Sequence, residues 1–247
     1  MLSLKIIGSS SKGNCYILQS NTTSIMLDCG CKKVINEDLT RIDGIVLSHV
    51  HYDHTKGIKN IKNLYQGKYY ANQETLDVLP VLDKDKVKVE SGEKFQIKDF
   101  SLVPFDLLHD VPCFGYLIKD NVSKCKFLYI TDTGMIDYKF KDVDFFLVES
   151  NCDEDLLTYE DYKEIRVYET HLSMQQTAVF LQKNVNHNTK KVLLGHISQS
   201  EKDYKKHERY VFGELGNENI EVTAINPNLN ETIELFLKKD VEGFDFD

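Results

Sequence analysis

The amino-acid sequence predicts an α+β fold, a four-layer αβ/βα sandwich in which two β-sheets pack face to face and helices cover their outer faces. One indication is an internal repeat: residues 14–30 resemble residues 114–134, and each stretch reads as a hairpin whose last strand ends in Asp-x-Gly. A second repeat relates residues 45–49 to residues 192–196, two apolar runs that each end in histidine. Two similar β-rich halves with interspersed helices are typical of packed sheets, so we expect one domain over residues 1–247.

The elements of the first half follow from apolar and alternating runs that are interrupted by turn residues. Gly, Ser, Asn and Thr at residues 8–13 and 21–23 predict turns. The runs on either side of these turns predict strands at residues 4–8, 14–18, 24–28 and 44–47. A short helical piece is expected after Gly30, and helices are expected at residues 54–63 and 73–80.

The second half is read in the same way. Residues 87–131 are rich in strand signals, and apolar runs predict buried strands at 145–148 and 191–194. Ser173 followed by Gln176 predicts a capping box at the start of a helix. Residues 200–215 read as a last helix, and two strands are expected to close the chain.

Composition places the chain among globular proteins. Of its 247 residues, 41% are hydrophobic and 28% are charged. No apolar run approaches the ~20 residues of a membrane helix. Residues 1–7 read as a strand and not as a signal peptide, so a cytoplasmic location without membrane contact is expected. The six cysteines are dispersed, which favours reduced thiols over a disulfide framework.

The net charge of -9 disfavours undirected binding to nucleic acid, because phosphate contacts need Lys and Arg. Lysines between residues 56 and 68 nevertheless form a local basic patch. The sequence leaves two interpretations of this patch open, a phosphate-binding surface and a solvated helix face.

The strongest functional pattern is a run of four metal-binding side chains directly after the predicted strand at 44–47. His49 and His51 are two residues apart, so an extended backbone points both the same way. Asp53 and His54 follow where the chain turns into a helix and can approach from another side. Imidazole and carboxylate together suit zinc, or manganese and iron at a mixed nitrogen and oxygen site.

This pattern resembles the HxHxDH signature of the metallo-β-lactamase fold superfamily, and the resemblance covers most of the chain. It implies two divalent metal ions, Zn²⁺ or Mn²⁺. It further implies three ligands that follow later strands, which are His109, Asp132 and His196 here. The first metal would take His49, His51 and His109; the second would take Asp53, His54 and His196; Asp132 would bridge them.

A closer resemblance is to the YycJ/WalJ-like subgroup, whose members are regarded as 5′-to-3′ exonucleases on DNA. It rests on motifs at residues 8–14, 27–30, 47–54, 109–116 and 149–151, and on the His-Leu-Ser element at 171–173. The sequence departs from the subgroup at Thr170, where glycine is expected, and after His196.

Further residues are candidates for roles around the metals. His171 is a candidate general acid or phosphate contact, and its alternative is a helix-entry residue. Glu149 could accept a hydrogen bond from a ligand histidine or be a surface carboxylate. Asp28, the repeat of Asp132, is expected to brace the loop that carries His49 or His51.

The loop at residues 8–14 is a candidate substrate-binding element. Ser10, Lys12 and Asn14 are the residues expected to contact phosphate there, and Asn14 together with Ser9 could instead fix the loop. The loop lacks the spacing of a nucleotide P-loop.

These features predict a dinuclear-metal phosphodiesterase in which a metal-bound hydroxide attacks phosphorus, with Asp53 and His171 as catalytic residues. Nuclease activity on DNA leads by resemblance, and a 3′,5′-cyclic-nucleotide phosphodiesterase is the alternative. A DNA enzyme should have a basic groove beside the metals, whereas a small-ligand enzyme should have a closed pocket that the second subunit of a homodimer could complete. An ester or thioester hydrolase and a non-enzymatic metal-binding module remain as further alternatives.

Overall fold

The computed structural model describes residues 2–158, 161–201, 203–226 and 231–235. The strands of its first sheet are β1 Leu2–Gly8, β2 Cys15–Gln19, β3 Ser24–Leu27, β4 Gly44–Val46, β5 Tyr69–Ala71, β6 Lys86–Lys88 and β14 Glu231–Leu235. They lie side by side in the order β14-β1-β2-β3-β4-β5-β6. The strands of the second sheet are β7 Phe95–Ile97, β8 Phe100–Leu107, β9 Cys113–Asp120, β10 Lys126–Ile130, β11 Phe145–Glu149, β12 Lys191–Gly195 and β13 Glu221–Ala224. They lie in the order β13-β12-β11-β10-β9-β8-β7.

The two sheets repeat one pattern of strand directions. In the first sheet β1, β2 and β3 are antiparallel neighbours, and β4, β5 and β6 continue parallel to β3. In the second sheet β8, β9 and β10 are antiparallel, and β11, β12 and β13 continue parallel to β10. This repeat agrees with the two similar halves expected from the sequence.

Helices cover the outer faces of both sheets. They are α1 Tyr52–Thr55, α2 Ile58–Ile61, α3 Gln73–Val78, α4 Tyr162–Thr170, α5 Met174–Asn184 and α6 Lys205–Leu215. Short 3-10 helices occur at Lys32–Asn36, Leu39–Arg41, Asp83–Asp85 and Glu154–Leu156. The capping box of α5 is present, because Ser173 Oγ accepts from the Gln176 N–H and Gln176 Oε1 accepts from the Ser173 N–H.

Three groups of buried side chains define the layers. The central one joins the inner faces of both sheets and includes Leu4, Leu18, Tyr116 and Phe127. The second packs the outer face of the first sheet against α2 and α3, and the third packs the outer face of the second sheet against α5 and α6. The predicted α+β sandwich is confirmed, and burial of apolar surface on both faces of each sheet stabilises it.

Several predicted boundaries were wrong. The helix expected at 54–63 consists of two single turns, α1 and α2. The carbonyl of Asp53 accepts from the Asn14 N–H and that of His54 accepts from the Cys29 N–H, so neither serves a continuous helical ladder. The residues between the turns, Lys56 and Gly57, keep right-handed helical dihedrals.

Other elements differ from the prediction as well. Helix α6 begins at Lys205 and not at residue 200, and neither β5 nor α4 was predicted. No helix among the described residues is long and apolar enough to cross a membrane. The single-domain organisation stays a prediction, and its C-terminal boundary lies outside the described residues.

The glycines of the repeated Asp-x-Gly turns pack directly on backbone. A Cβ at Gly30 would lie 1.6 Å from the carbonyl oxygen of Asp53, and a Cβ at Gly134 would lie 1.8 Å from that of Glu169. The turn at Gly30 therefore packs on the segment that contains Asp53, and the turn at Gly134 packs on the segment that contains Glu169. Glycine occurs in both copies of the repeat because two backbone segments approach each other closely there.

We expect Gly30→Ala and Gly213→Ala to change stability in opposite directions. The first substitution forces the segment that carries Asp53 to move and should destabilise the protein by several kcal/mol, of the order seen for overpacked interiors. Gly213 lies within α6, and a Cβ added there would meet no heavy atom within 4 Å, so alanine should stabilise the helix by about 0.5–1 kcal/mol. Thermal unfolding of both variants measures the difference, and equal stabilities would contradict the close packing at Gly30.

Candidate metal centre

The polar residues singled out in the sequence gather at one edge of the sandwich. His49 follows β4, His109 follows β8, Asp132 follows β10 and His196 follows β12. Since β10, β11 and β12 are parallel and β8 runs in the same direction, their carboxyl ends share this edge. The carboxyl end of β4 in the first sheet faces the same place, which brings the two halves together around one site.

The first ligand set combines His49, His51, His109 and Asp132, whose ligand atoms all lie within 4.8 Å of one another. Each imidazole has one ring nitrogen occupied by the protein. Ser48 Oγ lies 2.9 Å from Nδ1 of His49, Asp110 Oδ1 lies 3.3 Å from Nε2 of His51, and the Thr170 carbonyl lies 3.0 Å from Nδ1 of His109. The opposite nitrogens face the centre of the set, where Nε2 of His109 lies 3.2 Å from both Nδ1 of His51 and Oδ1 of Asp110.

The second set combines Asp53, His54, His196 and again Asp132, with ligand atoms within 4.8 Å. His54 donates from Nδ1 to Asp28 Oδ2 at 2.6 Å, and His196 donates from Nδ1 to Glu149 Oε1 at 2.8 Å. Their Nε2 atoms lie 3.6 and 3.7 Å from Asp53 Oδ2. The grouping of these residues in space is the one that the family resemblance implied, and metal binding by them stays a prediction.

Asp132 lies between the two sets with one oxygen toward each. Its Oδ1 lies 3.3 Å from Nε2 of His54, and its Oδ2 lies 3.9 Å from Nε2 of both His49 and His109. Burial acts to raise the pKa of Asp132, but His196 and His54 hold it well below the usual range of an aspartate. The carboxylate is therefore ionised and able to bridge two cations.

The donor set fits divalent metal ions. Among the described residues, Nε2 of His49 and Nε2 of His196 are buried without a hydrogen-bond partner. A buried polar atom without a partner is costly, and a metal ion in each set would satisfy both nitrogens. Burial lowers the pKa of His49 well below its usual value, which favours the neutral imidazole that metal binding needs.

Asp28 is buried behind the ligand sets and accepts hydrogen bonds from residues of both halves of the chain. Its backbone has φ 54°, a left-handed conformation that aspartate tolerates. Its carboxylate accepts from the Ser48 N–H at 2.7 Å, from His54 Nδ1 at 2.6 Å and from the Tyr129 hydroxyl at 2.6 Å. Asp28 therefore braces the loop before His49 and also fixes the ring of His54.

Glu149 is buried at the end of β11, and the interpretation as a surface carboxylate was wrong. Its Oε1 accepts from Nδ1 of both His171 and His196, and its Oε2 accepts from the N–H groups of Thr133 and Leu172. Burial acts to raise the pKa of Glu149, but the charge and hydrogen bond of His171 outweigh it and lower the pKa.

His171 lies in the wall of the cleft above the second ligand set. Burial acts to lower the pKa of His171, yet the Glu149 carboxylate raises it above its usual value. Since Nδ1 is bound to Glu149, Nε2 is the ring nitrogen that remains for a substrate in the cleft.

The ligand sets open into a cleft of about 470 Å³. Its lining includes residues that were not assigned a role from the sequence, among them Ser11, Tyr52 and Arg166. Arg166 forms an ion pair with Asp110, the residue that also contacts His51. Asp110 could have been found from its position next to His109, whereas no local sequence signal joins Arg166 to the site.

The predicted substrate-binding residues lie in different environments. Ser10 and Asn14 are buried, and Asn14 Nδ2 lies 3.1 Å from the Ser10 carbonyl and 3.0 Å from Nε2 of His54. Their burial favours the alternative in which they fix the loop. Lys12 and Ser11 are exposed at the loop tip. Contact of Ser10, Lys12 or Asn14 with substrate stays a prediction.

A protein-family model described as a beta-lactamase superfamily domain matches residues 27–197. The chain therefore belongs to the beta-lactamase superfamily, and its fold is the metallo-β-lactamase fold predicted from the sequence. Members of this fold class use divalent metal ions, for which the two ligand sets are suited. The chain is accordingly a metal-dependent hydrolase.

Particular proteins resemble the chain over most of its length. Exodeoxyribonuclease WalJ of Streptococcus pneumoniae serotype 2 is 28% identical over 220 residues, which covers 78% of this chain and 81% of WalJ. Exodeoxyribonuclease YycJ of Bacillus anthracis is 25% identical over 221 residues, covering 80% of this chain and 83% of YycJ. The crystal structure of the metallo-β-lactamase fold protein YhfI from Bacillus subtilis superposes with a TM-score of 0.73 at 15% identity, over 95% of this chain and 100% of YhfI.

We expect Glu149→Gln to weaken metal binding about 10- to 100-fold, the usual effect of losing a hydrogen-bond partner of a ligand histidine. The amide keeps the volume but loses the charge that orients His196. Titration with graded chelator, followed by metal analysis of the recovered protein, gives the affinity. Glu154→Gln is the matched control, because Glu154 accepts from Ser173 Oγ and contacts no ligand histidine among its described partners. Equal metal affinities of the two variants would contradict the role of Glu149.

Proposed function

We propose that the protein is a dinuclear-metal exonuclease that hydrolyses phosphodiester bonds of DNA in the 5′-to-3′ direction. The observation that carries the proposal is the pair of ligand sets joined by Asp132 on the floor of an open cleft. The two relatives at 25–28% identity, both named exodeoxyribonucleases, support DNA as the substrate. Zinc is the metal that five histidines favour, and manganese is the alternative that carboxylates admit.

Two divalent ions in such a site supply positive charge to a phosphoryl group and make water a stronger nucleophile at neutral pH. The residues of the chain provide the geometry. Asp132, His49, His54 and His196 are buried, whereas His51 and Asp53 are only partly buried. Asp53 lies at the entrance to the second set, 3.7 Å from Nε2 of His196. Asp53 therefore joins the metal centre to the substrate side of the cleft.

His171 is the candidate for the proton needed by the leaving oxygen. Glu149 binds Nδ1 at 2.6 Å and stabilises the protonated ring, so Nε2 can donate a proton toward the cleft. The same carboxylate oxygen also binds His196 at 2.8 Å. A hydrogen-bonded path thus joins the proton donor to a predicted ligand of the second metal.

Asp53→Ala should lower phosphodiester hydrolysis by on the order of 100-fold or more, since charge stabilisation by a metal ion contributes several kcal/mol. The metal-loaded protein is assayed in parallel on bis(p-nitrophenyl) phosphate, on 5′-phosphorylated DNA and on 3′,5′-cyclic nucleotides. Asp83→Ala, which removes an exposed carboxylate elsewhere, is the control and should retain full activity.

The pattern of products decides among the functions. Stepwise shortening of DNA that Asp53→Ala abolishes supports the exonuclease. Opening of cyclic nucleotides with DNA left intact would replace it by a cyclic-nucleotide phosphodiesterase. Hydrolysis of none of the three substrates by metal-loaded protein would contradict phosphodiester chemistry and leave esters or thioesters. The homodimer and the cytoplasmic location stay predictions.

A further inference from the structure

A tyrosine and three lysines line one side of the entrance to the metal centre. Tyr52 lies between His51 and Asp53 in the chain, lines the cleft and is 59% exposed. Lys56 and Lys59 follow at i+4 and i+7, and the right-handed helical backbone from α1 to α2 brings all three onto one face. We call Tyr52, Lys56, Lys59 and the neighbouring Lys12 the Tyr52 strip.

The contacts within the Tyr52 strip are direct. Lys59 Nζ donates to the Tyr52 hydroxyl at 3.1 Å and lies 5.0 Å from the ring centroid. Lys56 Nζ lies 5.5 Å from the same centroid and donates to the Lys12 carbonyl at 2.5 Å. Cation–π contact of this kind holds ammonium groups beside an aromatic face.

The lysines of the Tyr52 strip carry uncompensated charge. Within the part of the chain that the structure describes, none of Lys12, Lys56 and Lys59 forms a salt bridge with a carboxylate, whereas lysines such as Lys5, Lys88 and Lys98 do. The protein as a whole has a net charge of -9. A local excess of positive charge beside the metal centre in an acidic protein is complementary to a polyanion.

Tyr52 also borders a second, smaller pocket of about 170 Å³. Its other lining residues include the apolar side chains of Val78, Leu79 and Pro80 together with Lys56 and Lys59. A substrate with its phosphate at the two ligand sets would therefore have three features of the protein on one side of it, which are an aromatic ring, an apolar recess and two ammonium groups. This combination matches single-stranded nucleic acid, whose bases stack on aromatic rings while its backbone contacts lysine.

We propose that the Tyr52 strip binds single-stranded DNA, with Tyr52 stacking on the base next to the scissile phosphate and Lys12, Lys56 and Lys59 binding the adjoining phosphates. This inference rests on the proposed exonuclease function and specifies the form of its substrate. The strip is a binding surface, and the reaction itself takes place at the ligand sets.

Binding and cleavage test the Tyr52 strip separately. Affinity of the metal-loaded protein is measured by fluorescence anisotropy with a phosphorothioate single-stranded oligonucleotide, which resists hydrolysis. Tyr52→Ala should weaken binding about 5- to 150-fold, the range for loss of one stacked base, while Tyr52→Phe should stay within about twofold of wild type. Tyr138→Ala removes an exposed tyrosine outside the cleft and should leave binding unchanged.

The lysines are distinguished from the tyrosine by salt dependence. The double variant Lys56→Ala/Lys59→Ala should reduce the slope of log affinity against log salt by about 1.4, or about 0.7 for each lost phosphate contact on a single strand. Tyr52→Ala should leave that slope unchanged. Lys119→Ala, at the far end of β9 from the site, controls for general charge.

The outcomes separate this inference from the proposed function. DNA cleavage by the wild type with Tyr52→Ala and the lysine variant equal to wild type in affinity and slope would overturn the Tyr52 strip and leave the exonuclease intact. Absence of both DNA binding and DNA cleavage by the wild type would overturn the exonuclease and the strip together. Weaker binding by Tyr52→Ala with a lower salt slope for the lysine variant supports the strip.

Discussion

Hydrogen bonds that occupy one ring nitrogen of each clustered histidine determine the geometry of the site. An imidazole presents a lone pair in a defined direction only when its other nitrogen is held. Asp28 and Glu149 hold His54 and His196, and the Thr170 carbonyl holds His109. The contact at Thr170 is made by backbone, so the replacement of the glycine expected there leaves it in place. The strand ends bring the imidazole rings together, and these hydrogen bonds orient the rings toward the two ligand sets.

The repeat of the two halves explains how one fold makes an asymmetric site. Asp28 and Asp132 occupy equivalent positions after β3 and β10, and both precede a glycine that packs on backbone. Asp132 faces the two ligand sets, whereas Asp28 lies behind them and accepts from His54 and from Tyr129 of the other sheet. Ser9 completes the link by accepting from the His196 N–H and the Tyr16 hydroxyl. The Asp-x-Gly motif therefore supplies a candidate metal ligand in the second half. In the first half it supplies a carboxylate that holds a candidate ligand histidine from behind.

The sequence predicted the sandwich from its internal repeats and strand signals, whereas the grouping of His109, Asp132 and His196 with the run at residues 49–54 came from the resemblance to the metallo-β-lactamase fold. Helix α4 was not predicted, although Asp161 followed three residues later by Glu164 is the pattern of a helix start, and Arg166 was missed with it. The ion pair of Arg166 with Asp110 joins residues 56 positions apart. A pairing at that distance depends on how α4 crosses the cleft, which local propensity does not determine. The break between α1 and α2 escaped prediction for a related reason, because the backbone partners of Asp53 and His54 lie on other segments.

The candidate metal ligands and the residues proposed to meet substrate alternate along one short stretch of chain. His51, Asp53 and His54 face the ligand sets, while Tyr52 and Lys56 face solvent at the cleft entrance. Gly30 and Gly57 allow the backbone behind this stretch to pack closely, since a Cβ at either would meet carbonyl oxygens of neighbouring segments within 3 Å. A substitution on the outward face can therefore change what approaches the metals without displacing the inward ligands. Under the proposed function, substrate choice therefore depends on the cleft rim, whereas the ligand sets depend on the fold beneath it.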